Sequence, residues 1–311
     1  MKVLYFFESI RNPVLDVFMS LITRLGEETV FIAIAILVFW CVDKTKGYFL
    51  ITVGFLGTVI NQFLKVLFRV PRPWVKDPNF TIVESAKEAA TGYSFPSGHT
   101  QSAVGSFGAL LRTTKKNWLR IVCIVIVVLV PISRMYLGVH TLLDVGVSFL
   151  IATGLVLGLY PLIKLSDKKP CIIPIILSSS IVIATIGYIF IKVYHFPADA
   201  DIINIAHGAE SVVKLLGASV GVLLAYFIEK KYIKFETSGH IVTQIIKIVL
   251  GLLILVGIKS FIKTPLNSLF GADLGNAIRY FILIVFAAIV WPLTFKWIDK
   301  FVLKIFKKKE K

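Results

Sequence analysis

From about residue 29 onward the chain alternates long apolar runs with short polar breaks. The runs fall at about 29–42, 47–68, 98–111, 118–134, 141–163, 171–194, 208–228, 241–262 and 276–298, each near the roughly 20 residues that a bilayer crossing needs, or somewhat short of it. Continuous apolar stretches of this length predict helices rather than half-buried strands. The expected fold class is therefore all-α, a polytopic transmembrane helix bundle of about nine spans. The third run is the most polar, with His99, Thr100, Gln101, Ser102 and Ser106, and its small residues Ala103, Gly105, Gly108 and Ala109 suit close packing inside a bundle. Ahead of the first run, the stretch from Pro13 to Leu25 has helical periodicity with one polar face. That pattern predicts an N-terminal amphipathic helix lying at the membrane interface. Glu8, Arg11, Asp16 and Arg24 interrupt this region, and no small-residue cleavage site follows it, so it does not read as a cleavable leader.

Composition strengthens the membrane assignment. Of the 311 residues 57% are hydrophobic and 17% charged, and the mean hydropathy is +0.84, far more apolar than a soluble domain of this size requires. The net charge of +16 would suit nucleic acid, but the lysines sit in small clusters between apolar runs and in the tail. Anionic lipid headgroups are the partners that distribution fits. Cys41, Cys123 and Cys171 have no paired spacing and imply neither a disulfide framework nor a zinc site.

The same lysines orient the chain. Lys44 and Lys46; Arg112, Lys115, Lys116 and Arg120; Lys164, Lys168 and Lys169; Lys230, Lys231 and Lys234; and the tail from Lys300 to Lys311 all fall on one side if each run crosses once. The positive-inside bias makes that side cytoplasmic. Asp77, Glu84 and Glu88, then Asp199, Asp201 and Glu210, then Asp273 occupy the other side. Lys214, Lys247 and Arg279 lie inside or at the ends of the later runs, where snorkelling to the nearest interface is the expected behaviour.

Three segments carry chemistry. Lys65 and Arg72 stand seven apart, with Pro73 stopping the helix. Pro96-Ser97-Gly98-His99 opens the third run. Pro96 suits the first position of a helix, and the Ser97 and Gly98 amides at the positive end of its dipole would form an anion cradle. Ser133-Arg134 is followed by His140 and Asp144, whose spacing of four places them on one face of a helix. Lys65, Arg72 and Arg134 supply the positive charge that a phosphoryl group needs, with the guanidiniums able to bond bidentately. His140 is the candidate nucleophile, Asp144 its orienting carboxylate, and His99 the candidate general acid. His195, His207 and His240, all near loops, read as structural. Metal ligation by the two histidines and the aspartate is disfavoured by the three adjacent cations, so no metal and no cofactor is expected.

Taken together, Lys-x6-Arg-Pro, Pro-Ser-Gly-His and Ser-Arg-x5-His-x3-Asp, present here in order and without a substitution, resemble the signature of the type-2 phosphatidic acid phosphatases. That family shares its catalytic core with vanadium haloperoxidases. The resemblance implies the same roles for His140 and His99, a phosphohistidine intermediate and metal-independent hydrolysis of a lipid phosphate. Polyprenyl diphosphate, phosphatidate and phosphatidylglycerol phosphate are the substrates it suggests. It also leaves room for a phosphotransferase using the same site, and the later spans leave room for a lipid transporter that binds a headgroup without cleaving it. The expected layout is an N-terminal amphipathic helix over 1–28, a phosphatase core over 29–165, and additional transmembrane helices with a basic cytoplasmic tail over 166–311. All the motif segments fall at run ends on the extracytoplasmic side of what would be a bacterial plasma membrane.

Overall fold

A computed structural model describes residues 1–87, 90–198 and 200–309. Glu88, Asp199 and Lys311, three of the charges used above to orient the chain, lie outside the described residues. Every regular element among the described residues is helical. In chain order these are α1 (Lys2–Ser9), α2 (Pro13–Arg24), α3 (Glu28–Cys41), α4 (Lys44–Phe68), a short α5 (Pro73–Lys76), α6 (Gly98–Thr113), α7 (Asn117–Tyr136) and α8 (Leu142–Leu165). They continue with α9 (Ile172–Val193), α10 (Ile202–Ile228), α11 (Ile241–Phe261), α12 (Lys263–Val285), α13 (Trp291–Leu293) and α14 (Phe295–Lys309).

The all-α, polytopic architecture follows from these helices. Among the described residues, seven helical stretches are long and apolar enough to cross a membrane: Lys44–Lys76, Asn117–Tyr136, Leu142–Leu165, Ile172–Val193, Ile202–Ile233, Ile241–Phe261 and Lys263–Leu293. The other two apolar runs are also helices but shorter, α3 with 14 residues and α6 with 16. At about 1.5 Å per residue neither reaches the thickness of the hydrocarbon layer alone. The final run starts earlier than its hydropathy suggests, because α12 begins at Lys263 and is broken at Gly271, where φ is +76°.

The chain forms two compact units. The first comprises Met1–Ile32, Phe49–Leu162 and Ile183–Val212. In it α6 packs along α7, and α1 and α2 pack against α7 as well. The N-terminal stretch is thus two helices rather than one, and both are tied to the unit through hydrogen bonds. Arg11 Nε donates to Tyr136 O at 3.0 Å, the Tyr136 hydroxyl donates to Asp16 at 2.7 Å, and the Tyr5 hydroxyl donates to Asp77 at 2.7 Å. Val14, Val17, Phe18 and Leu21, at helical spacing on α2, stay exposed and give that helix its apolar outer face.

The second unit comprises Ala33–Tyr48, Ile163–Val182 and Val213–Lys311. Its core is aromatic: Trp40 and Phe235 each meet Phe295 edge to face, and the Trp291 indole donates to Lys247 O at 2.9 Å. Lys247 and Arg279 are 1% and 4% exposed, so neither snorkels. The Lys247 ammonium lies 4.7 Å from the Phe295 ring centre and the Arg279 guanidinium donates to Asn276 Oδ1 at 2.6 Å. Local aromatic and amide partners replace the interface that a long flexible side chain would otherwise seek. Cys41, Cys123 and Cys171 are free thiols.

Candidate active site

Four helix ends in the first unit hold the motif residues. Lys65 lies near the end of α4, Gly98 and His99 open α6, Arg134 lies in the last turn of α7, and Asp144 in the first turn of α8. Alternating chain direction through a bundle brings such ends to one face, which is why three segments distant in sequence converge.

The α6 start differs in detail from the sequence expectation. Ser97 is the N-cap, its hydroxyl oxygen accepting from Thr100 N, and the helix begins at Gly98; Pro96 precedes it instead of forming its first turn. The Ser97 amide is not available to an anion, because it donates to Asp144 O at 3.1 Å. Ser97 can therefore offer only its hydroxyl proton, while the first-turn amides of Gly98 and His99 keep the orientation that favours anions at a helix N-terminus. His99 is fixed from behind. A Cβ added to Gly26 would come within 2.8 Å of His99 O and 3.1 Å of His99 Cβ, so only glycine there lets the α2–α3 turn lie against the start of α6.

His140 also departs from expectation, since it precedes α8 rather than riding on it. Its spacing from Asp144 is set by a capping turn: Thr141 N donates to Asp144 Oδ2 at 2.7 Å and Asp144 N to Thr141 Oγ1 at 3.2 Å. Direct contact between His140 Nδ1 and Asp144 Oδ2 is 3.6 Å, too long for a hydrogen bond. Ser94 fills the gap. Its hydroxyl donates to Asp144 Oδ2 at 2.6 Å and so turns a lone pair toward His140 Nδ1 at 3.4 Å. On the other side of the ring, Arg72 Nη1 stands 3.0 Å from His140 Nε2. A guanidinium only donates, so Nε2 presents a lone pair and the proton resides on Nδ1. Burial, then the charges of Arg72, Arg134, Lys65 and His99, hold the His140 imidazolium well below the ordinary histidine range. The ring is neutral, and its basic nitrogen faces the cations.

Those cations rest on backbone oxygen. Lys65 Nζ donates to Tyr93 O at 2.6 Å, Arg72 Nε to Gly92 O at 3.0 Å, Arg72 Nη2 to Thr91 O at 2.7 Å and Arg72 Nη1 to Val139 O at 3.0 Å. Arg134 Nη1 donates to Thr23 Oγ1 of α2 at 2.8 Å, and its Nε is buried without a hydrogen-bond partner. Ser94, Thr23 and the carbonyls of 91–93 belong to the site but carry no sequence spacing that marks them. Away from the site His240 is structural, accepting from Val242 N at the start of α11.

Three buried cations beside a histidine whose Nε2 lone pair faces Arg72, in a polytopic helical protein, make a site whose chemistry suits a phosphate group. The comparisons with known proteins agree. The PAP2 superfamily matches residues 46–167, and the PAP2 superfamily phosphatase transmembrane extension matches residues 213–301. The chain is 33% identical to undecaprenyl-diphosphatase BcrC of Bacillus subtilis, over 45% of this chain and 71% of that protein. It is 27% identical to sphingosine-1-phosphate phosphatase 2 of Mus musculus, over 66% of this chain and 56% of that protein. It is also 30% identical to an undecaprenyl-diphosphatase of Sulfolobus acidocaldarius, over 43% of this chain and 64% of that protein. The matched stretch thus spans little more than half the length of the mouse protein. No solved structure matches the chain. The chain belongs to the PAP2 superfamily.

Proposed function

We propose that this protein is an integral membrane lipid phosphatase that hydrolyses a lipid phosphate or lipid diphosphate through a phosphohistidine on Nε2 of His140. The observation that carries this reading is the Nε2 lone pair held 3.0 Å from Arg72 Nη1, in a buried site where Lys65, Arg72 and Arg134 meet no carboxylate at ion-pair distance among the described residues. A phosphoryl group needs both things at once, neutralised oxygens and an unprotonated nucleophile. In the first step the P–N bond forms as the P–O bond to the leaving group breaks, and His99 protonates the departing oxygen where it needs a proton. In the second, water attacks phosphorus, His99 takes its proton, and the P–N bond breaks to release inorganic phosphate. Ser94 and Asp144 keep the Nδ1 proton in place throughout. The acting groups are all side chains and amides of this chain, consistent with activity in excess chelator.

The names of its relatives, which include diphosphatases and sphingosine-1-phosphate phosphatases, support a lipid substrate. The lysine-rich loops on the opposite helix ends support a cytoplasmic placement for those ends and an extracytoplasmic one for His140; this parity counts nine spans, with α3 and α6 completed as crossings by the residues that flank each helix. The test is release of inorganic phosphate from a lipid phosphate by the purified protein in detergent. Wild-type protein releases it with chelator present, and His140→Ala falls to background. Movement of lipid between leaflets without phosphate release would identify a transporter instead.

A further inference from the structure

Between Lys65 and Arg72 stands another cation, Arg69. Its amide donates to Lys65 O at 3.0 Å, which places it one helical turn beyond Lys65. There the backbone enters the left-handed region, φ +50°; α4 ends, and the chain turns so that Val70 O accepts from Ser94 N at 2.8 Å. A non-glycine residue adopts this strained conformation only where its surroundings hold it.

What holds it comes from outside both stretches matched by the family. The Arg69 guanidinium carbon lies 5.0 Å from the ring centre of Tyr194 and 5.3 Å from that of Phe196. The two rings meet edge to face at 5.1 Å, and Phe190 stacks on Tyr194 at 4.9 Å. These residues form the end of α9 and the turn into α10, all within the first unit. The same turn and the start of α10 reach the carbonyl segment that holds Lys65 and Arg72. The Tyr93 hydroxyl donates to Asp201 O at 3.5 Å, and a Cβ added to Gly92 would lie 3.4 Å from the His207 ring.

Aromatic rings satisfy the faces of a guanidinium but not its N–H edge. Arg69 Nη1 is buried with no hydrogen-bond partner, and no carboxylate pairs with it among the described residues. A fixed cation with an unsatisfied donor edge, one turn from the residues that bind the transferring phosphoryl group, suits a second anion on the same substrate.

We propose that Arg69 binds the second phosphate of a lipid diphosphate, which makes the α9–α10 turn a specificity wall of the active site. The inference rests on the phosphatase reading above. As the P–N bond to His140 forms, the bridging P–O bond breaks and its electron pair passes to the oxygen of a departing lipid monophosphate. Arg69 faces that growing charge and stabilises the transition state more than the bound substrate. A lipid monophosphate, whose leaving group is an alcohol, gives Arg69 nothing to hold.

The experiment compares kcat/KM of the full-length protein on a polyprenyl diphosphate and on a lipid monophosphate. Arg69→Gln is expected to lose about 10-fold to 100-fold on the diphosphate and at most about twofold on the monophosphate, with Arg69→Lys in between. Equal losses on both substrates, or an undiminished diphosphate rate, would overturn the proposal. Should Arg69→Gln not fold, Tyr194→Leu combined with Phe196→Leu leaves the cation present but unheld and must lower the same ratio; an unchanged ratio overturns it equally. Wild-type release from the monophosphate alone sinks this inference and spares the phosphatase reading, whereas release from neither substrate sinks the reading itself.

Discussion

Lys44 of the second unit and the motif cations of the first are held in opposite ways. In the second unit Lys44 pairs with Glu229, whose other oxygen accepts from the Tyr48 hydroxyl at 3.2 Å, so the charge is cancelled where it lies. In the first unit Lys65, Arg72 and Arg134 are more deeply buried than Lys44, yet their partners are carbonyls and a hydroxyl. Dipoles hold a cation in place without neutralising it. A salt bridge would give a more settled core and an electrostatically dead site, because an incoming phosphate would have to displace a carboxylate first. The difference separates a cation whose charge is cancelled from cations whose charge stays open to an anion.

Arg72 is where that comparison breaks most visibly. Arg72→Lys keeps the charge but loses the fork that reaches three carbonyls and His140 together, and kcat/KM on any lipid phosphate is expected to fall about 100-fold. Arg72→Gln removes the charge as well, with a distinct signature in pH. A positive neighbour makes protonation of His140 harder, so its removal raises the histidine pKa. The neutral nucleophile is then lost at a higher pH, and the acidic limb of the kcat/KM profile moves upward. Arg72→Lys leaves that limb near the wild-type position, and a limb that stays put in Arg72→Gln would show that some other group sets it.

A smaller effect is expected at Ser94. Ser94→Ala leaves Asp144 at 3.6 Å from His140 Nδ1 with no hydroxyl between them, and kcat should fall about 10-fold while KM changes little, through loss of one charge-assisted hydrogen bond. Partial recovery in Ser94→Thr, measured on the same substrate, separates a lost hydroxyl from lost packing.

The least effect on turnover, and a clear one on stability, belongs to the second unit. Glu229→Gln leaves the Lys44 ammonium without its counter-charge and should lower stability in detergent by about 1–3 kcal/mol, read as a drop in the midpoint of thermal unfolding, with kcat/KM unaltered. A variant that lost activity in proportion to Arg72→Lys would erase the distinction between the two kinds of buried cation.

Much of this arrangement was legible in the chain before any coordinates. Apolar runs near bilayer length leave few alternatives to helices, and the spacing singled out Arg72, His140 and Asp144, which stand beside one another, and Lys65, His99 and Arg134 at helix ends of the same unit. What the spacing could not convey is geometry made by main-chain atoms. The carbonyls that seat Lys65 and Arg72 have no residue signature, and Ser94 is one serine among many until Asp144 is seen beside it. His140 shows the same limit, since a separation of four is shared by a helix face and by a capping turn, and here the turn is used. For Lys247 and Arg279 the sequence pointed to snorkelling, and burial beside Phe295 and Asn276 is what it could not convey.

The segment from Thr91 to Ser94 has a consequence for which changes this site tolerates. It seats two buried cations on oxygens that every amino acid carries, so what Lys65 and Arg72 touch there does not depend on side-chain identity. Gly92, at φ +69°, and the Ser94 hydroxyl are its restricted positions. Length is another matter: adding or removing one residue moves every carbonyl by one register and unseats both cations together.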